Sequence, residues 1–143
     1  MERSKIVFQA SVDFGVHCTF DLEITSPQVK TYLSFYGQIN EFVEFGQQLM
    51  AFPRSVAHTV SFEVGSADKA SAMAYLLISA YCTDPQGHAA LRFIVDNREQ
   101  GAAYHCFEFS IASEAASINK LGALLADWNV SDTPEIIWKA ETR

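Results

Sequence analysis

From Ile6 to Ile24 every even position is apolar or small: Ile6, Phe8, Ala10, Val12, Phe14, Val16, Cys18, Phe20, Leu22 and Ile24. The odd positions from Lys5 to Glu23 are mostly polar or small. A period of two belongs to a strand with one buried face. A single strand of that length is unusual, so the pattern predicts a break near Asp13-Phe14-Gly15. A three-residue hairpin loop with Gly15 in the left-handed region fits, because it keeps odd and even positions in phase across the turn. Thr25-Ser26-Pro27 ends the second strand, since proline cannot donate to a ladder. Residues 28–36 read either way. Ser26 and Pro27 suit the start of a helical turn, while Val29, Thr31, Tyr32 and Phe35 suit extended chain.

From Gly37 the period changes. Ile39, Phe42, Val43, Phe45, Gly46 and Leu49 share one helical face, with Glu41, Glu44, Gln47 and Gln48 largely on the other. Phe52-Pro53 closes this helix. Val56, Val60, Phe62 and Val64 then mark a half-buried strand. Residues 72–82 are apolar at both parities, as in a central strand, although a short buried helix has the same signature. Asp84-Pro85-Gln86-Gly87 fits a type I turn, and Leu91, Phe93 and Val95 continue as the hairpin partner. After the strand around Phe107, Ser113 is placed as an N-cap, with Glu114 at the positive end of a second helix. That helix buries Ile118, Leu121, Leu124, Leu125 and Trp128. Ile136, Ile137 and Trp138 form a last strand.

Phe20-Asp21-Leu22-Glu23-Ile24 and Phe107-Glu108-Phe109-Ser110-Ile111 share one alternation. Each precedes a segment that turns helical at an Ile-Asn pair, Ile39-Asn40 or Ile118-Asn119. The chain therefore predicts a pseudo-repeat of a strand-helix unit within one α+β domain over residues 1–143. The predicted order is β-β-α-β-β-β-β-α-β, a mostly antiparallel sheet with two helices packed on one face.

Hydrophobic residues at 49% and charged residues at 19% place the chain among globular proteins. No apolar run reaches the roughly 18–20 residues that cross a bilayer. Met1-Glu2-Arg3-Ser4-Lys5 leads into strand pattern without the features of a signal peptide. A cytoplasmic protein without membrane contact is the expectation. A formal charge of −7 argues against a nucleic-acid footprint and suits a basic protein partner. The three cysteines show no Cys-x-x-Cys spacing and read as buried thiols.

With helices over one sheet face, the other collects His17, Thr19, Asp21, Glu23, Thr59, Ser61, Glu63, Glu108 and Ser110. That face is the candidate interface. Asp21, Glu23, Glu63 and Glu108 supply charge, and Tyr75 or Tyr81 from the central strand serves as the aromatic anchor, with Tyr75 taken as the candidate. His17-Cys18 and His105-Cys106 look like metal pairs, yet neighbours on a strand point to opposite faces, so no metal site is expected. Cys82, Asp84 and His88 surround one turn, which explains Asp84 and Gly87 without catalysis. No phosphate loop, dinucleotide fingerprint or nucleophile elbow occurs, and no cofactor or catalytic residue is assigned. A second reading places a small ligand, or a substrate, in a pocket between helices and sheet lined by Tyr32, Tyr36, Tyr75 and Trp128. The strand from Glu135 to Glu141 is a candidate edge for pairing between subunits.

The helix Ile39-Asn40-Glu41-Phe42-Val43-Glu44-Phe45-Gly46-Gln47-Gln48-Leu49 with Phe52-Pro53 behind it, and the closing part from Phe107 to Trp128, resemble small bacterial α+β proteins. Some of these are similar to the WapI type of immunity protein, which neutralises a toxin delivered between competing bacteria. The resemblance implies a non-catalytic inhibitor that occludes a basic toxin, and it carries over no functional residue.

Overall fold

The computed structural model describes residues 4–68, 70–71 and 73–142. Its elements are β1 (Lys5–Phe14), β2 (His17–Thr25), β3 (Lys30–Gln38), α1 (Val43–Met50), β4 (Val60–Val64), β5 (Tyr75–Cys82), β6 (His88–Asp96), β7 (Cys106–Glu114), α2 (Ala115–Ala126) and β8 (Glu135–Lys139). The fold is α+β and every strand pairing is antiparallel. The ambiguous stretch after Pro27 is strand β3. Thr31, Leu33 and Phe35 point into the core, and Tyr32, Ser34 and Tyr36 point out. Gly15 is left-handed (φ +57°), and a register shift between Val12 and Phe14 absorbs the extra residue of the turn.

The strands divide into two four-stranded sheets, β3-β2-β1-β8 and β4-β5-β6-β7. Each half of the chain is a three-strand meander, a helix and a fourth strand. The fourth strand joins the other half's sheet: β4 pairs with β5, and β8 pairs with β1. The repeated strand-helix unit is therefore β3 with α1 and β7 with α2. Phe20–Ile24 lies one strand earlier, in β2. The repeat was masked in β3 because its outward positions are themselves tyrosines. Ser113 lies within β7 instead of capping α2, the N-cap position falling to Glu114, and the Ser113 hydroxyl donates to the Glu141 carbonyl at 3.4 Å.

Inner-face residues of both sheets and the apolar faces of both helices enclose one core. Phe42, just ahead of α1, is its hub. Its ring lies 5.4 Å from Phe8, 5.2 Å from Phe20, 4.5 Å from Phe62 and 6.0 Å from Trp128. The indole N–H groups of Trp128 and Trp138 donate to Thr133 O at 2.6 Å and Ser117 O at 2.8 Å, so neither polar atom is stranded.

The helices meet backbone to backbone. A Cβ on Gly46 would lie 2.4 Å from Ala126 N and 2.7 Å from Gly122 O. A Cβ on Gly122 would lie 2.7 Å from both Gly46 O and Met50 N. Asn119 of α2 donates its side-chain amide to Leu49 O at 2.8 Å, which also accepts from the Phe52 N–H, and to Phe52 O at 2.6 Å, tying α2 to the chain at the end of α1.

Candidate functional site

The sheet division separates the candidate interface residues. Asp21 and Glu23 sit on the outer face of the β3-β2-β1-β8 sheet. Glu63, Tyr75 and Glu108 sit on the outer face of the other sheet. The expected single wet face is thus two faces, because β4 and β7 belong to a different sheet from β2. On the second sheet both carboxylates have partners within the sheet, only one of them a cation. Glu63 accepts from the Tyr75 hydroxyl at 2.6 Å, and Glu108 pairs with Arg92 at 2.6 Å.

The first sheet differs. Its register sets Ser34, Asp21, Gln9 and Glu135 in one outward row, beside a row of Tyr32, Glu23, Val7 and Ile137. Together they line a concavity of about 310 Å³ with Leu22 and Leu33. Within it Asp21 accepts from the Ser34 hydroxyl, and Glu135 accepts from Gln9 at 2.7 Å. Lys30 reaches Glu23 at 3.2 Å from the next row, where Lys5 and Lys139 also stand. The face therefore carries a carboxylate band bordered at one end by lysines. On the second sheet the corresponding row is Ser110, Arg92, Ser79 and Ser61, with a cation where the first has Asp21.

The remaining candidates are dispersed. His88 Nδ1 lies 2.5 Å from Asp84 Oδ2, and Nε2 lies 3.5 Å from Glu114 Oε1. Burial acts to raise the Asp84 pKa, but hydrogen bonds from the Gln86 N–H and from His88 outweigh it and hold the carboxyl below its usual range. Cys82 turns to the core side of β5 and reaches Ser55 O at 3.8 Å, so it does not meet His88, which faces out from β6. His105 bridges Asn97 and Thr31, each at 3.1 Å, and His58 accepts from the Arg54 N–H at 2.9 Å. Among the described residues no group of three or more His, Cys, Asp or Glu is placed to hold a metal ion. Cys18 is buried, its thiol pushed up by that burial, whereas Cys82 is half-buried and Cys106 is exposed, contrary to the expectation for the last.

The aromatic residues of the pocket reading do not share a pocket. Tyr32 (58% exposed) and Tyr36 (82%) stand on the first sheet's outer face, while Trp128 belongs to the core. Tyr75 is 5% exposed on the second sheet, 5.7 Å beneath the Arg98 guanidinium. Arg98 also donates to the carbonyls of Asp68 and Ser71, at 2.9 and 3.1 Å, which ties the β4–β5 loop down over that tyrosine.

Burial first, then the Glu63 hydrogen bond and charge, push the Tyr75 pKa up to about 12. In the unfolded chain tyrosine ionises near 10. The folded form thus keeps its proton after the unfolded form has lost it. Stability from this group is complete below about pH 10 and declines as pH rises toward about 12. Urea titrations across that window should show a steeper decline for the native protein than for Tyr75→Phe. Parallel curves would show that the hydroxyl is not held as described.

Reading the sequence missed Gln9, Ser34 and Glu135 as lining residues. Parity alone assigns Gln9 to the outward side, but nothing local shows that β8 lies against β1. No helix among the described residues is long and apolar enough to cross a membrane. The fold and the site define an α+β protein with two antiparallel sheets and one carboxylate-lined outer face. Comparison with protein-family models and with curated proteins found no match.

Proposed function

We propose that this is a non-catalytic, cytoplasmic binding protein whose β3-β2-β1-β8 face holds a basic segment of a protein partner. An immunity-type role, in which the partner is a basic toxin, is the form of this reading that the sequence resemblance favours. One observation carries it. Asp21, Glu23 and Glu135 converge on a concavity that also offers the apolar surfaces of Tyr32, Val7 and Ile137, a combination suited to the head and stem of lysine or arginine. On the opposite sheet Glu108 is ion-paired with Arg92 and Glu63 holds the Tyr75 hydroxyl, with Ile94 and Leu77 between them.

The test is affinity capture from the source cell with native protein and two charge-reversed variants. Asp21→Lys with Glu135→Lys should lose a basic partner that the native chain retains. Glu63→Lys with Glu108→Lys should keep it. Loss with the second pair and retention with the first would assign binding to the other sheet and overturn the proposal.

A further inference from the structure

The hydrogen bonds at the ends of β3 reveal which way its backbone points. Ile39 N–H donates to Val16 O at 2.9 Å, and Ser26 N–H donates to Val29 O at 2.7 Å. Both bonds continue the β2–β3 register, so odd residues of β3 direct their N–H and C=O toward β2. Tyr32, Ser34 and Tyr36 then direct theirs to the open edge. Among the described residues these groups have no hydrogen-bond partner. At one end the Gln38 N–H is taken by Glu41 Oε1 at 2.8 Å, and at the other Thr31 is tied to His105. Three alternate residues between those stops, Tyr32, Ser34 and Tyr36, are left unpaired at the edge.

The other edges are less suited to accept a strand from outside. On β8 the same reasoning points Lys139 and Glu141 outward, but their carbonyls accept from Ser117 Oγ at 3.3 Å and the Glu114 N–H at 2.7 Å. The chain's own β7–α2 junction thus covers that end, and self-pairing through β8 is obstructed. Strand β4 is only five residues long. On the outer face beside the β7 edge, Glu108 is already paired with Arg92 of β6 at 2.6 Å.

Beside the open edge of β3 lies a cleft of about 400 Å³, bounded by Tyr32, Leu33 and Ser34 on one wall and by Ala74, Asn97, Arg98 and Glu99 on the other. It shares Tyr32, Leu33 and Ser34 with the carboxylate-lined concavity, so the two recesses flank one strand. The Arg98 guanidinium is turned inward and 7% exposed, leaving Glu99 as the free charge of the far wall.

We propose that the partner enters as an extended segment of alternating basic and apolar residues, which adds to the sheet as a fifth strand along Tyr32–Tyr36. This rests on the preceding assignment of the face and specifies how the face is read. Main-chain bonds to Tyr32, Ser34 and Tyr36 supply affinity, and alternate side chains supply selectivity. The added strand lies two strand spacings from β2, roughly 9.6 Å, within joint reach of a lysine and Asp21 or Glu23. Its apolar side chains continue the inner row of Leu33 and Phe35.

The test uses a short capped peptide of alternating lysine and valine, with the same peptide N-methylated at alternate residues as control. Amide hydrogen exchange is followed residue by residue. Addition of the first peptide should slow exchange at Tyr32, Ser34 and Tyr36 by roughly tenfold or more, leaving Leu33 and Phe35, already bonded to β2, nearly unchanged. The methylated peptide should bind weakly and protect nothing. Equal binding of both peptides without new protection would overturn strand addition while leaving the acidic face as the docking site. No binding of either peptide would remove both proposals.

Discussion

Replacing Gly46 with alanine should destabilise the protein by about 2–3 kcal/mol, the opposite of what alanine does in an isolated helix. Helix propensity alone predicts a gain of about 1 kcal/mol. The new Cβ would sit 2.4 Å from the Ala126 nitrogen and 2.7 Å from the Gly122 oxygen. Both are backbone atoms, so relief requires moving a helix instead of turning a side chain, and overpacking of that kind costs about 1–3 kcal/mol or more. Gly122→Ala should behave alike. The double variant should cost less than the sum of the two, because one displacement opens the same gap for both. Urea denaturation midpoints give the answer. A neutral or stabilising Gly46→Ala would show that the helices are not in backbone contact.

Phe42→Ala should cost about 3–5 kcal/mol, a large share of the roughly 5–15 kcal/mol that holds such a domain together. Phe42 precedes the first residue of α1, yet it is 2% exposed and joins rings from β1, β2, β3, β4 and the segment after α2. An alanine at this position cannot reach the rings of either sheet, so truncation leaves a cavity among them. Phe14→Ala, at the tip of the first hairpin and 70% exposed, should stay within about 0.5 kcal/mol of the native protein. Comparable losses for the two would mean that the core is not organised around Phe42.

The elements were legible because their periods are clean. Counting by twos from Ile6 picks out the buried residues as far as Ala10 and again from Cys18 to Ile24, while Val12, Phe14 and Val16, around the first hairpin turn, are exposed; the face built on Phe45, Gly46 and Leu49 is the face that α1 buries. β3 was ambiguous because Tyr32 and Tyr36 put aromatic side chains on its wet side, which blurs the alternation. The start of α1 was placed several residues early, since Ile39 and Asn40 belong to a turn whose Gln38–Glu41 bonds mimic a helix start. The site was half legible. Asp21 and Glu23 share a face by simple parity, but Glu63 and Glu108 were assigned to that face as well. Parity tells in from out and is blind to which sheet a strand joins. That choice is made by the pairing of β8 with β1 and β4 with β5, contacts between residues far apart in the chain.

The reciprocal placement of β4 and β8 has a bearing on how the chain holds together. Each half closes the other's sheet, as two hands hold by interlaced fingers, so no single cut yields two pieces that each own a full set of strands. The loop after Gly65 joins halves that would still be interlocked without it. The carboxylate-lined recess is itself a joint product: Asp21, Glu23 and Ser34 come from the first half and Glu135 and Ile137 from the second. The carboxylate-lined face exists only when both halves are present and interlaced.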